Sequence, residues 1–235
     1  QRSAPREITI EGVEKLHGTE FVISPDRNEV VTFAIAAILT KGDIFVESAR
    51  AKDIKEFLVE LVKAGGGYEE KEKGMRFFYK GSLQATNVVT AVYPGFMTDW
   101  QAMWAVLMTQ AEGVSTIHET VFENKMGYMK DLNKMGAHIS AFKPQVENPE
   151  AFYNFNLADD KTGYVHAIEI HGPVALHNAV LTTIDIRAGA AVVLAGLIAQ
   201  GTTSIFGVEK LDRGYENFDA RLRGLGADVE RAKEE

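Results

Sequence analysis

Three times along its length the chain repeats one unit, and that repetition limits the possible folds more than any other feature. An aspartate opens an apolar stretch at Asp26, Asp99 and Asp185. A glycine follows each stretch, at Gly42, Gly113 and Gly201, at distances of 16, 14 and 16 residues. Next come a strand pattern and a second, amphipathic helix. Each second helix ends at another glycine, Gly65, Gly136 or Gly226, a further 23, 23 and 25 residues on.

Each unit has a physical reading. The aspartate stands where a carboxylate caps free backbone N–H groups and meets the positive end of a helix dipole. The first helix is apolar nearly all round, as in the run from Thr32 to Leu39, so it has to be enclosed. The glycine after it is expected to supply a left-handed stop. The strand alternates, as in Asp43 to Glu47, which suits a sheet with one wet face. Second helices are expected over 54–64, 129–135 and 216–225, each covering a sheet from one side. The predicted fold is therefore α/β of an inside-out kind: three units with their helices buried and their sheets outside. A doubly wound nucleotide-binding sheet has its helices outside, and neither GxGxxG nor GxxxxGK[ST] occurs in this chain.

Composition removes several function classes. The chain of 235 residues, 46% of them hydrophobic, is long enough to bury a core without staples. It has no cysteine, which excludes disulfides, thiolate metal sites and a cysteine nucleophile, and fits a reducing, cytoplasmic compartment. A net charge of -8 argues against a nucleic-acid partner while leaving local cationic pockets open. The apolar stretches at 30–39, 100–108 and 188–199 are each shorter than the roughly 20 residues of a membrane span. No signal peptide is recognisable, and a start at Gln1 reads as a trimmed chain or a fragment. The scattered histidines have no metal-ligand spacing, so no metal or cofactor is expected. Segment 142–162, rich in Asn, Asp, Pro and Lys, reads as an insertion between the second and third units.

Some residues carry a choice between chemistry and architecture. Arg187 opens a buried helix, where a cation and a helix N-terminus together favour a phosphate or carboxylate ligand; the alternative is an ion pair with Asp185. Asp26, Asp99 and Asp185 read first as caps. Arg213 is either a ligand-binding cation or a surface cap, and Lys125 either a ligand contact or a solvated lysine. Trp100 and Trp104, four apart on one helical face, read as core, and the charge run 69–73 as a solvated turn.

Five runs then occur in order: Pro25-Asp26-Arg27, Thr98-Asp99-Trp100-Gln101, Glu119-Thr120-Val121-Phe122-Glu123-Asn124-Lys125, Asp185-Ile186-Arg187-Ala188 and Asp212-Arg213-Gly214-Tyr215-Glu216. Together they resemble the UDP-N-acetylglucosamine 1-carboxyvinyltransferase family, over nearly the whole chain apart from 142–162. The resemblance implies an enolpyruvyl transferase of two domains with the site between them, of which this chain is the C-terminal portion. Residues 1–20 would then end the preceding domain or form a linker, and 21–235 would form one domain of three repeats at about 21–75, 85–141 and 165–235. Phosphoenolpyruvate and UDP-N-acetylglucosamine are the implied substrates, and the absent N-terminal domain is the implied partner.

The resemblance also assigns roles. Asp99 matches the carboxylate that contacts the sugar 3-hydroxyl and removes its proton. Val121 matches the position whose backbone meets the UDP-sugar. Arg187 and Arg213 match the arginines that hold phosphate and carboxylate, and Asp185 would orient that cluster. At Lys125 most members have arginine, so the charge stays while the planar fork is lost. The family's lid loop and its Lys-Asn motif have no counterpart here, so the chain alone is expected to be inactive. A shikimate-3-phosphate enolpyruvyl transferase and a non-catalytic module of the same fold are the alternatives; an RNA-cyclase-like function is disfavoured by charge.

Overall fold

The computed structural model describes residues 2–4, 7–183 and 185–232. Positions 1, 5 and 6 of the expected segment 1–20, and positions 184 and 233–235 of the expected third unit, lie outside the described residues. Strands β1 (Arg2–Ala4) and β2 (Glu7–Ile8) pair antiparallel. Between them and residue 27 no helix or strand forms, and Ile10, Leu16, Phe21, Val22 and Ile23 are each more than 80% exposed.

Helix α1 (Arg27–Leu39) begins at Asp26, whose carboxylate accepts the Asn28 N–H at 2.8 Å. Every residue from Val30 to Leu39 is buried, as its apolar circumference requires. The left-handed residue after α1 is Lys41 (φ 54), not the expected Gly42. The Lys41 N–H closes on Ile38 and the Gly42 N–H on Ala37 at 2.7 Å, so the reversal comes one residue early. Strand β3 (Asp43–Glu47) alternates exposed and half-buried positions. Helix α2 (Lys55–Lys63) buries Phe57, Leu58 and Leu61, and Gly65, at φ 89, turns the chain toward β4 (Gly67–Lys71) and β5 (Gly74–Phe78). These strands form an antiparallel sheet in the order β3-β5-β4. The charge run at 69–73 therefore begins within β4, where Glu69 pairs with Lys71 and Arg76.

Short strands β6 (Leu83–Gln84) and β7 (Asn87–Val89) lead to a 3-10 turn, Thr98–Trp100, which runs into the wholly buried α3 (Gln101–Met108). Strand β8 (Ala111–His118) follows. Gly113 has φ 109 inside that strand, so here too the expected helix stop lies elsewhere. Next come α4 (Tyr128–Lys134), β9 (His138–Phe142), the short α5 (Pro149–Phe152) and β10 (Ala167–Gly172). Strand β10 lies between β8 and β9, antiparallel to both, and β6 and β7 join β8 in parallel. The last stretch holds β11 (Val180–Thr182), α6 (Ile186–Ile198), β12 (Ser204–Phe206) parallel to β11, and α7 (Phe218–Gly224). No strand follows α7 among the described residues.

Helices α1, α3 and α6 pack on one another, and the sheets lie outside them. Trp100 and Trp104 are fully buried, each meeting Phe57 and Phe96 edge-on at 5.5–6.0 Å. That is the core role expected of the pair. Among the described residues no helix is long and apolar enough to cross a membrane.

Candidate functional site

The site is organised around Glu119, a fully buried carboxylate just beyond β8. Burying a carboxylate is costly unless donors surround it. Glu119 receives hydrogen bonds from Thr98 Oγ1 at 2.7 Å, Gln101 Nε2, the Val121 N–H at 2.5 Å and the Phe122 N–H at 3.0 Å. One side chain therefore ties the turn that carries Asp99 to the loop that carries Val121. Glu119 stands in one of the sequence runs quoted above, yet nothing local in the sequence marks it as buried.

Asp99 lies within the 3-10 turn, and no cap hydrogen bond from it to α3 forms, contrary to the capping expectation. With Thr98 drawn toward Glu119, Asp99 is left facing α6, where its Oδ1 lies 3.6 Å from Arg187 Nε. Asp185 does cap α6, accepting the Arg187 N–H at 2.6 Å, while its other oxygen lies 3.7 Å from Lys125 Nζ. The simpler alternative for Arg187, an ion pair with Asp185, is thus replaced by a pair with Asp99. The charges alternate along a row: Lys125, Asp185, Arg187, Asp99.

Arg187 is held from behind by Tyr215, which is fully buried. Thr32 Oγ1 donates to the Asn28 carbonyl at 2.8 Å. The Tyr215 hydroxyl therefore donates to Thr32 Oγ1 at 2.8 Å and accepts from Arg187 Nη1 at 3.4 Å. Asn28 Oδ1 in turn accepts from Trp100 Nε1 at 3.1 Å, beside Asp99. Burial opposes the charge on Arg187, but Tyr215, Asp99 and Asp26 outweigh it and hold the guanidinium above its ordinary value. Burial pushes the Tyr215 phenol up, so it stays a neutral donor. Asn28, Thr32, Glu119 and Tyr215 are the members of this arrangement that sequence reasoning missed.

Val121 is half-buried, with its amide tied to Glu119. Arg213 ends a 3-10 segment, Val208–Arg213. Its neighbour Gly214 abuts Arg187, since a Cβ at Gly214 would stand 3.9 Å from Arg187 Nη1. The Arg213 side chain itself is exposed. The fold thus brings Asp99, Lys125, Asp185 and Arg187 together, and leaves Arg213 at the rim. Pairs at 3.6–3.7 Å are looser than direct hydrogen bonds, so an incoming anion can take either cation from its carboxylate partner. A carboxylate released in that way is free to accept a proton.

Solved structures define the class first. The fold matches the enolpyruvyl transferase NikO from Streptomyces tendae with TM-score 0.71 at 24% identity, over 88% of this chain and 44% of that one. It matches EPSP synthase from Acinetobacter baumannii with TM-score 0.64 at 16% identity, over 90% of this chain and 45% of that one. The fold is therefore that of the enolpyruvyl transferases. Residues 1–222 match the family described as EPSP synthase (3-phosphoshikimate 1-carboxyvinyltransferase), and the chain belongs to that family. It is similar to the UDP-N-acetylglucosamine 1-carboxyvinyltransferase of Protochlamydia amoebophila (strain UWE25), 39% identical over 98% of this chain and 48% of the relative. The corresponding protein of Chlamydia trachomatis serovar D is 43% identical over 94% of this chain and 49% of the relative. The chain thus spans about half the length of the curated relatives it matches.

Proposed function

We propose that this chain is the C-terminal half of an enzyme that transfers the enolpyruvyl group of phosphoenolpyruvate to the 3-hydroxyl of UDP-N-acetylglucosamine, a step in peptidoglycan precursor synthesis. The observation that carries this reading is the Asp99–Arg187 pair, a carboxylate and a guanidinium 3.6 Å apart on two helix starts. Phosphoenolpyruvate presents phosphate and carboxylate together, and guanidinium groups suit both. Arg187 and Arg213 hold those anions, with Lys125 beside them as a point charge. Asp185 keeps α6 capped and Lys125 in place. Asp99, once Arg187 turns to the substrate, accepts the proton of the attacking hydroxyl. The Val121 backbone meets the UDP-sugar. In this reading residues 21–235 are one domain of three repeats, preceded at 1–20 by the end of the other domain or a linker. The complementary half supplies the other wall of the site, and the enzyme works in the cytoplasm.

Identities of 36–43% to relatives named for the UDP-sugar favour that acceptor over shikimate-3-phosphate, although the family is named for the latter. The test is phosphate release from phosphoenolpyruvate by the complete open reading frame, with each acceptor in turn. Turnover with the UDP-sugar alone is expected, falling at least ~100-fold in Asp99→Asn. An unchanged rate in that variant removes Asp99 from the mechanism, and no turnover with either acceptor leaves a non-catalytic module.

A further inference from the structure

Phe142 at the end of β9 and Ala167 at the start of β10 are register partners. The chain therefore leaves the sheet after Phe142 and returns to it directly opposite, so within 143–166 only His166 extends the sheet's pairing, by its carbonyl opposite Glu119. A two-residue turn would close the same hairpin.

The excursion is nevertheless built into the molecule. Tyr153 and Phe155 are buried, each 7% exposed. Phe155 stacks on His166 at 5.1 Å, Tyr153 lies 4.8 Å from Phe155, and Phe152 lies 5.0 Å from His118. The Tyr153 hydroxyl meets His118 Nε2 at 3.0 Å, and Asp160 meets His166 Nε2 at 3.0 Å. His118 ends β8, immediately before the loop that carries Val121 and Lys125.

Two backbone hydrogen bonds then grip the loop itself: the Asn154 N–H to the Thr120 carbonyl, and the Glu119 N–H to the His166 carbonyl, both at 2.7 Å. Thr90 holds Thr120 from the other side, taking its hydroxyl and its N–H at 2.7 and 2.9 Å. Farther along, Asp159, Lys161 and Tyr164 line a cleft of about 400 Å³ whose opposite wall is Phe122 and Lys125.

We infer that the excursion 143–166 is a clamp that sets the position of residues 119–122 and so the affinity for the acceptor substrate, with Tyr153 as its positioning residue, while Lys125 keeps its own partner in Asp185. The identity of that substrate rests on the function proposed above; the clamp rests on the contacts alone. Thr120 is caught between two elements while Glu119 fixes the next two amides, so the backbone that faces the sugar nucleotide has no freedom to drift. A shift of about 1 Å at such a contact weakens binding by an order of magnitude or more.

The test uses the complete enzyme in two forms: one with 143–166 replaced by an Asn-Gly turn, and one with Tyr153→Phe. Amide exchange at Val121 and Phe122 is expected to accelerate about ten-fold in the turn variant, while Ile168 and Ile170 in β10 stay protected. KM for UDP-N-acetylglucosamine is expected to rise about ten-fold, and KM for phosphoenolpyruvate to stay within about two-fold. Tyr153→Phe should move the same quantities about three-fold, and it decides the matter if the turn variant does not fold. Unchanged exchange at Val121 and Phe122, or KM values rising equally for both substrates, overturns the clamp. An unmutated enzyme without turnover overturns the proposed function instead, and the exchange rates then judge the clamp by themselves.

Discussion

Arg187 owes its orientation to a tyrosine hydroxyl drawn from a distant part of the chain. Tyr215 donates to Thr32 and accepts from Arg187, so its single oxygen ties α1 to the first turn of α6. Phenylalanine would fill the same space, with the ring still against Phe218 at 4.8 Å, but would lose both hydrogen bonds. Tyr215→Phe is therefore expected to cost about 1 kcal/mol of stability, as a buried hydrogen bond does. In the complete enzyme it should also raise KM for phosphoenolpyruvate several-fold, because Arg187 loses the acceptor that steadies it. Denaturant titration and steady-state kinetics check the two effects separately. A stability loss with unchanged KM would mean that Tyr215 serves packing alone. Glu119 acts on the same scale: a carboxylate that would be a liability in the core becomes a fastener, because four donors converge on it.

At the scale of elements, the seat of α6 decides where Arg187 points. Gly189, one turn into that helix, marks its closest approach. A Cβ there would come 2.6 Å from Thr183 Oγ1 and 2.7 Å from Leu211 Cδ2. Alanine is the better helix former by about 1 kcal/mol, and at an exposed site the exchange would stabilise. Here Thr183 Oγ1 is committed to the Asp185 carbonyl at 2.9 Å and Leu211 is buried, so neither yields cheaply. Overpacking of this kind costs about 1–3 kcal/mol and outweighs the propensity gain. Gly189→Ala should lower the melting temperature and displace α6 from the Val208–Arg213 segment, in line with the crowding. A rise in melting temperature would show that the helix shifts freely. Much at this scale is legible in sequence: the enclosed helices α1 and α3, the alternation of β3, and the turns at Gly65, Gly136 and Gly226, all of which have φ between 89 and 96. The stops after α1 and α3 differ from expectation because any glycine near a helix end looks like a left-handed cap, whereas backbone closure after α1 places that conformation on Lys41 and Gly113 lies inside β8.

Across the whole molecule, residues far apart in sequence meet where the first and last stretches close. Arg221 on α7 reaches Glu29 on α1 at 2.7 Å and lies over the Phe33 ring at 4.4 Å. The stretch from Ile10 to Pro25 stays outside this closure, with its large apolar side chains in solvent. Brief proteolysis of the chain is expected to cut within 10–25 first and leave the remainder resistant, since cleavage needs accessible backbone outside helices and strands. Mass spectrometry of the products gives the answer, and first cuts within α1 or β8 would contradict the packing described. Sequence alone determined the repeated helices, the strand after the first of them, the enclosure of α1 and α3 and the acidic and basic residues Asp99, Lys125, Asp185 and Arg187, because helix and strand periodicity act between residues a few positions apart. Tertiary structure alone decided that Asp99 turns from its own helix to Arg187, that Tyr215 stands behind that arginine, and that 143–166 docks beside the Val121 loop. Those pairings depend on how three buried helices close on one another, and no local pattern encodes the result of that closure.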